Sequence, residues 1–141
     1  MTRERVVIDT NVFISGMLLV TSTPARAVER AIRDGQLLAS TPTLRELVAR
    51  FLSKKFDRYV ARDRREALLQ HLVPVVEVVE IVQQVSASRD RDDDKFLEVA
   101  VNGRGNTIIS GDRDLLVLNP FRGIAIVTPA EYVARPPVDR P

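Results

Sequence analysis

Arg5-Val6-Val7-Ile8-Asp9-Thr10-Asn11-Val12-Phe13-Ile14-Ser15-Gly16 is an apolar, β-branched run that stops abruptly in an acid and small polar residues. Unbroken Val/Ile runs suit a strand buried on both faces, the middle of a parallel sheet. Asp9 then stands at the strand's carboxyl end, where open α/β sheets place their ligands. The same position also suits a residue that ends a strand and caps the next helix. Position alone leaves both readings of Asp9 open.

Downstream, strands and helices alternate. Thr23-Pro24 opens a helix with Ala27, Val28, Ala31 and Ile32 on one side and Gly35 as its stop. Leu37 to Ala39 is a brief second strand, and Ser40-Thr41-Pro42-Thr43 starts a helix with an apolar stripe of Leu44, Leu47, Val48, Phe51 and Leu52. A fourth helix is expected from Asp63, with Glu66 in capping position and Pro74 at its end. Val75 to Val82 reads as an edge strand because it carries Glu77 and Glu80. Thr107 to Ser110 and Ile124 to Val127 are further strands, and Thr128 with Glu131 caps a last short helix. The pattern predicts a three-layer α/β/α domain over 1–133, with a central parallel sheet of four or five strands. A loose proline-rich tail is expected over 134–141.

Two strands end alike. Ile108-Ile109-Ser110 runs into Gly111-Asp112-Arg113-Asp114, repeating the opening device, so Asp9 and Asp112 can converge at one sheet edge. The helix before this second strand begins in Asp92-Asp93-Asp94-Lys95. One Asp at a helix start is ordinary, but adjacent carboxylates repel unless a cation or donors compensate. Glu46 lies about 200° round its helix from Leu44, off the apolar stripe, at about 100° per residue. It suits a capping box with Thr43 or a pair with Arg50 as well as it suits a functional role.

Composition narrows the chemistry. The chain of 141 residues contains no cysteine and one histidine, His71, which sits among Ala67, Leu68, Leu69 and Leu72 and reads as structural. Thiolate catalysis, zinc–thiolate sites and paired-histidine nucleases are excluded. Carboxylates remain, and they suit hard cations such as Mg²⁺ or Mn²⁺. A net charge of +2 does not by itself imply nucleic acid. The run Arg50 to Arg65 is locally basic, however, and Lys54, Lys55, Arg62 and Arg64 could attract a phosphate backbone or simply solvate a helix. No apolar run approaches the ~20 residues of a membrane span, and Asp9 and Asn11 interrupt any leader-like segment, so a cytoplasmic protein is expected.

Taken together, Val7 to Val12, Glu46 within Thr43-Leu44-Arg45-Glu46-Leu47, Asp93 to Ala100 and Ile109 to Leu115 resemble the PIN-domain family of metal-dependent ribonucleases. The resemblance is closest to the VapC-like toxins of toxin–antitoxin pairs. It implies an endoribonuclease whose acidic site is Asp9, Glu46, Asp93 and Asp112, with Asp114 a further acid around Mg²⁺ or Mn²⁺. Ser110 and Asn11 match the family's supporting polar positions. Asp93 is preferred over Asp92 and Asp94 because Phe96 and Ala100 then fall on the family's apolar positions. The resemblance further implies an RNA substrate, an antitoxin partner and a homodimer, the last in keeping with an exposed apolar region expected from Phe13 to Val20. Two rivals stand beside it. A haloacid-dehalogenase-type phosphatase shares the late Gly-Asp pair but needs an acid where Asn11 stands. A PIN-like module that binds RNA or a partner without cutting would retain the fold.

Overall fold

The computed structural model describes residues 3–136. Its first strand, β1 (Glu4–Ile8), runs through the centre of a parallel sheet. Val6 and Val7 are buried on opposite faces, as the unbroken apolar run requires. Asp9 follows as the N-cap of α1 (Thr10–Leu18), which packs beside α2 (Thr23–Asp34). Gly16 permits that approach: a Cβ there would lie 3.0 Å from Val28 and 3.1 Å from the Pro24 carbonyl. Next come β2 (Gly35–Ala39), α3 (Thr41–Phe51), α4 (Arg62–Leu72) and the short β3 (Val76–Val78). The chain continues through α5 (Asp94–Asn102), β4 (Thr107–Ile109), α6 (Arg113–Leu116), β5 (Ala125–Val127) and α7 (Pro129–Ala134).

The five strands lie in the order β3-β2-β1-β4-β5, and every pairing is parallel. Each face carries its own core. Val6, Ile8, Leu37 and Ile109 pack with Val12, Phe13, Ala27, Leu47 and Tyr132 on one side. Val7, Leu38, Ile108 and Ile126 pack with Phe96, Leu97, Val99 and Leu115 on the other. Each fully buried Val, Ile or Leu contributes about 1.5–3 kcal/mol, so the central strands are fixed by burial on both faces. The three-layer fold is the one the alternation predicts. Among the described residues no helix is long and apolar enough to cross a membrane.

Several local expectations are corrected. The third strand pairs only from Val76 to Val78, because β2 gives way to the Ser40 cap of α3 and leaves no partner beyond Ala39. Val79 and Val85 instead fold onto the second core. Gly35 does follow α2, but it is extended rather than left-handed. Its lack of a side chain matters because a Cβ would sit 2.9 Å from the Glu4 carbonyl of β1. The capping box of α3 is formed by Ser40 with Thr43, so Glu46 takes no part in it. Helix α4 begins at Arg62 without a side-chain cap, and Glu66 pairs with Arg62 at 3.0 Å. The region Phe13 to Val20 is not uniformly exposed: Phe13 and Ile14 are core, and only Leu19 and Val20 stand well out. Of the expected tail, Ala134 closes α7, while Arg135 reaches Glu4 at 2.9 Å and its carbonyl accepts from Arg30. Residues 137–141 lie outside the described residues.

Candidate metal centre

The carboxyl ends of β1 and β4 neighbour one another, because Ile8 pairs with Ile109, so Asp9 and Asp112 emerge side by side. Asp9 is buried; its Oδ1 accepts from the Val12 amide at 2.9 Å, and its Oδ2 accepts a short hydrogen bond from the Ser110 hydroxyl. Ser110 Oγ also accepts from the Asp112 amide at 3.0 Å, and thereby ties the two strand ends together. Burial pushes the Asp9 carboxyl up, its bonds to Ser110 and Val12 pull it down, and the charge of Asp112 raises it further. Of the two roles left open in the sequence, the structure shows the helix cap, and it sets the second Asp9 oxygen against Ser110 beside the Asp112 strand end.

Helix α5 enters the same edge from the opposite face, through a tight turn over Arg91–Asp93. The three consecutive acids have three different fates. Asp92 is exposed and pairs with Lys95 at 2.9 Å. Asp94 is buried but satisfied, its Oδ1 accepting from the amides of Ala87 and Ser88 at 3.1 and 2.7 Å. Asp93 alone points a buried oxygen, Oδ2, at no donor.

Asp93 also forms a group with Asp90 and Asp112, each offering one carboxylate oxygen, and these three oxygens lie within 4.8 Å of one another. Burial, the carboxyl of Asp112 and the charges of Asp112, Asp90 and Asp9 push Asp93 up to about 7. Two such carboxylates at close range must share a proton or a cation. The donor set is all oxygen, which fits a hard divalent ion, and the unpartnered Asp93 Oδ2 is the atom such an ion would satisfy.

Asp90 was not among the residues expected from the sequence. It lies within the charged run Arg89 to Lys95, and its oxygen accepting from the Asp92 amide at 3.0 Å marks it locally as a turn former. Only the fold brings it against Asp112. Asp114 donates its amide to Asp112 Oδ1 at 2.8 Å and so orients that carboxylate, while its own carboxylate is outside the group of three. Glu46 is also outside it. It forms ion pairs with Arg50, at 3.1 Å, and with Lys95, which bridges α3 and α5. Asn11 is exposed and accepts from Arg50 at 3.4 Å.

Beside the acids, a cleft of about 430 Å³ is lined by Asp9, Asn11, Ser15 and Asp112. Lys54 and Lys55 stand exposed on the loop after α3, and Arg64 is exposed on α4. Arg62 is engaged with Glu66 and the Leu52 carbonyl.

Comparison with known proteins agrees with this architecture. The family model described as PIN domain matches residues 5–114. The chain is 32% identical to the uncharacterized protein MJ1680 of Methanocaldococcus jannaschii, over 92% of this chain and 89% of that one. A crystal structure of VapBC2 from Rickettsia felis, bound to a DNA fragment from their promoter, matches with a TM-score of 0.56 at 8% identity. That match covers 88% of this chain and 98% of the other, a likeness of fold.

Proposed function

This chain belongs to the PIN-domain family, and from that premise and the acidic centre we propose that it is a divalent-metal-dependent endoribonuclease, the toxin of a toxin–antitoxin pair. The observation that carries the reading is the buried Asp93 oxygen without a donor, set against Asp90 and Asp112. A carboxylate left so is destabilising unless something positive completes it. A haloacid-dehalogenase-type phosphatase is disfavoured, because the acid two residues after the first is replaced by Asn11, whose oxygen is turned to Arg50.

In this mechanism Asp93, Asp112 and Asp90 would hold Mg²⁺ or Mn²⁺, with the charge of Asp9 adding to theirs. The ion, when bound, supplies Lewis-acid charge to a phosphoryl oxygen and acidifies water. Ser110 fixes the spacing of Asp9 and Asp112 by donating to one carboxylate and accepting from the other's amide. Asp114 holds Asp112 in its rotamer through the amide bond. Glu46 holds Arg50 and Lys95 in ion pairs, from which either cation can exchange a carboxylate for a substrate phosphate. Lys54, Lys55 and Arg64 attract the backbone beyond, with Arg62 available once it leaves Glu66.

The partners implied are single-stranded RNA, a second copy of the chain, and an antitoxin peptide that covers the acidic cleft. The test is cleavage of a labelled single-stranded RNA with Mg²⁺, with Mn²⁺ and with EDTA, beside growth of cells expressing the chain alone. Cleavage that survives EDTA would refute the metal mechanism. Harmless expression of a protein that cuts RNA would remove the toxin assignment and leave the nuclease.

A further inference from the structure

Beside the acidic cleft lies a larger groove, of about 720 Å³. Its apolar lining is made by Ile14 and Leu18 of α1, by Leu19 just after that helix and by Phe56 of the loop after α3. Its rim is aromatic and cationic: Tyr59 is 64% exposed, and Arg50 and Lys55 line the same space. Arg58 lies over the Tyr59 ring and Lys55 over that of Phe56. Asn11 and Ser15 line both this groove and the acidic cleft, so the two cavities share a wall.

We infer that this groove is a nucleobase subsite, which takes an unstacked base of single-stranded RNA next to the phosphate held at the acids. The inference rests on the ribonuclease reading and adds what selects the position of the cut. Three features favour this occupant. An apolar slot with an exposed aromatic face and cations at its lip is the combination that binds single strands, by stacking each base and attracting the backbone. The volume falls within the ~300–1,000 Å³ of small-ligand pockets. Asn11 spends its carbonyl oxygen on Arg50, which leaves its amide NH₂, with the Ser15 hydroxyl, to meet a base edge from the shared wall. An oligonucleotide seated there passes directly from groove to acids.

The test uses the full-length protein in EDTA with a fluorescently labelled ribo-hexamer, and with hexamers made abasic at one position at a time. The chain has two tyrosines and no tryptophan, and Tyr132 is buried while Tyr59 is exposed, so the part of the tyrosine emission that Tyr59→Phe removes reports Tyr59. RNA binding should quench it. Tyr59→Ala should weaken binding about tenfold and Tyr59→Phe by less than about twofold, the range expected for loss of one stacked base. One abasic position should weaken the wild type by a similar factor and leave Tyr59→Ala indifferent. With Mg²⁺ restored, Tyr59→Ala should raise KM and spare kcat.

Equal binding of intact and abasic hexamers by the wild type would overturn the subsite, as would Tyr59→Ala binding unchanged. Leu19→Asp converting a dimer to a monomer without weakening RNA binding would overturn it too, and would make the groove a contact between copies. If the wild type cleaves RNA with a KM that Tyr59→Ala does not alter, the subsite fails and the nuclease stands. If it neither binds nor cleaves RNA, both fail.

Discussion

Asp93 is a residue whose surroundings withhold what its charged form needs. Burial and the neighbouring carboxyls of Asp112, Asp90 and Asp9 hold its proton up to about 7, whereas an unfolded Asp releases its proton near pH 4. Between those values the folded chain binds more proton than the unfolded one, so stability must fall as pH rises, and the slope must vanish above about 7. Asp9, raised in the same direction, adds to that decline. Glu77 and Glu131, lowered by the Arg5 side chain and the Thr128 amide respectively, act with opposite sign and only in acid. Melting of the metal-free protein from pH 5 to pH 8 should therefore show a falling midpoint, and Asp93→Asn should flatten much of it. At pH 8 the same variant should melt higher than the wild type, by ~3 °C or more if ~1 kcal/mol of repulsion is relieved. Its cleavage should drop by about 10²–10³-fold, the scale of removing one preorganised electrostatic group. Asp90→Asn should lose activity as well, and Asp92→Asn should not, because Asp92 faces Lys95 and solvent. An Asp92→Asn protein as damaged as Asp93→Asn would overturn this assignment.

The elements show which interactions a linear reading reaches. Strands β1 and β4 were legible because two-sided burial demands unbroken apolar runs, and Asp9 and Asp112 because they end such runs. The brevity of β3 was not legible, since it depends on where its neighbour β2 stops. Nor was the place of Asp90, which a turn brings against Asp112, 22 positions away in number and well outside any local period. Arg65 shows the same limit. It was counted with the basic run as a surface charge, yet it is fully buried. It donates to the carbonyls of Phe51 at 2.6 Å, Ser53 at 3.0 Å and Val60 at 3.0 Å, and pairs with Asp57. This guanidinium is what fastens the loop from Phe51 to Val60 to α4, and the loop carries Lys55, Phe56 and Tyr59. Arg65→Met should lower stability by about 3 kcal/mol, through buried carbonyls left unpaired. Amide exchange in residues 52–60 should quicken before the sheet's does. Uniform acceleration across the sheet would show that Arg65 supports the fold at large rather than this loop.

For the whole molecule, the two cores and the acidic edge make separate demands. Both apolar faces of the sheet are closed by aliphatic and aromatic side chains that carry no charge. Folding thus derives from Val6, Val7, Leu37, Ile108 and their partners, while Asp9, Asp90, Asp93 and Asp112 load one edge with like charge. A protein built so should fold without its metal and bind it as a separate step, unlike a small domain whose core is the metal site. Chelation should accordingly abolish RNA cleavage and leave the circular dichroism of the sheet and helices unchanged. Restoring Mg²⁺ should then raise the melting midpoint by linkage, with a gain of about 2.7 kcal/mol when the ion is at 100 times its dissociation constant. Asp112→Asn and Asp93→Asn should begin from an equal or higher metal-free midpoint, because each removes one of the repelling charges, and should gain little from Mg²⁺. The crossing of these two orders, variants at least as stable without the ion and wild type favoured with it, distinguishes a metal site from an acidic patch that merely tolerates counterions. An equal Mg²⁺ response in wild type and both variants would assign the stabilisation to general screening and remove the ion from Asp93 and Asp112.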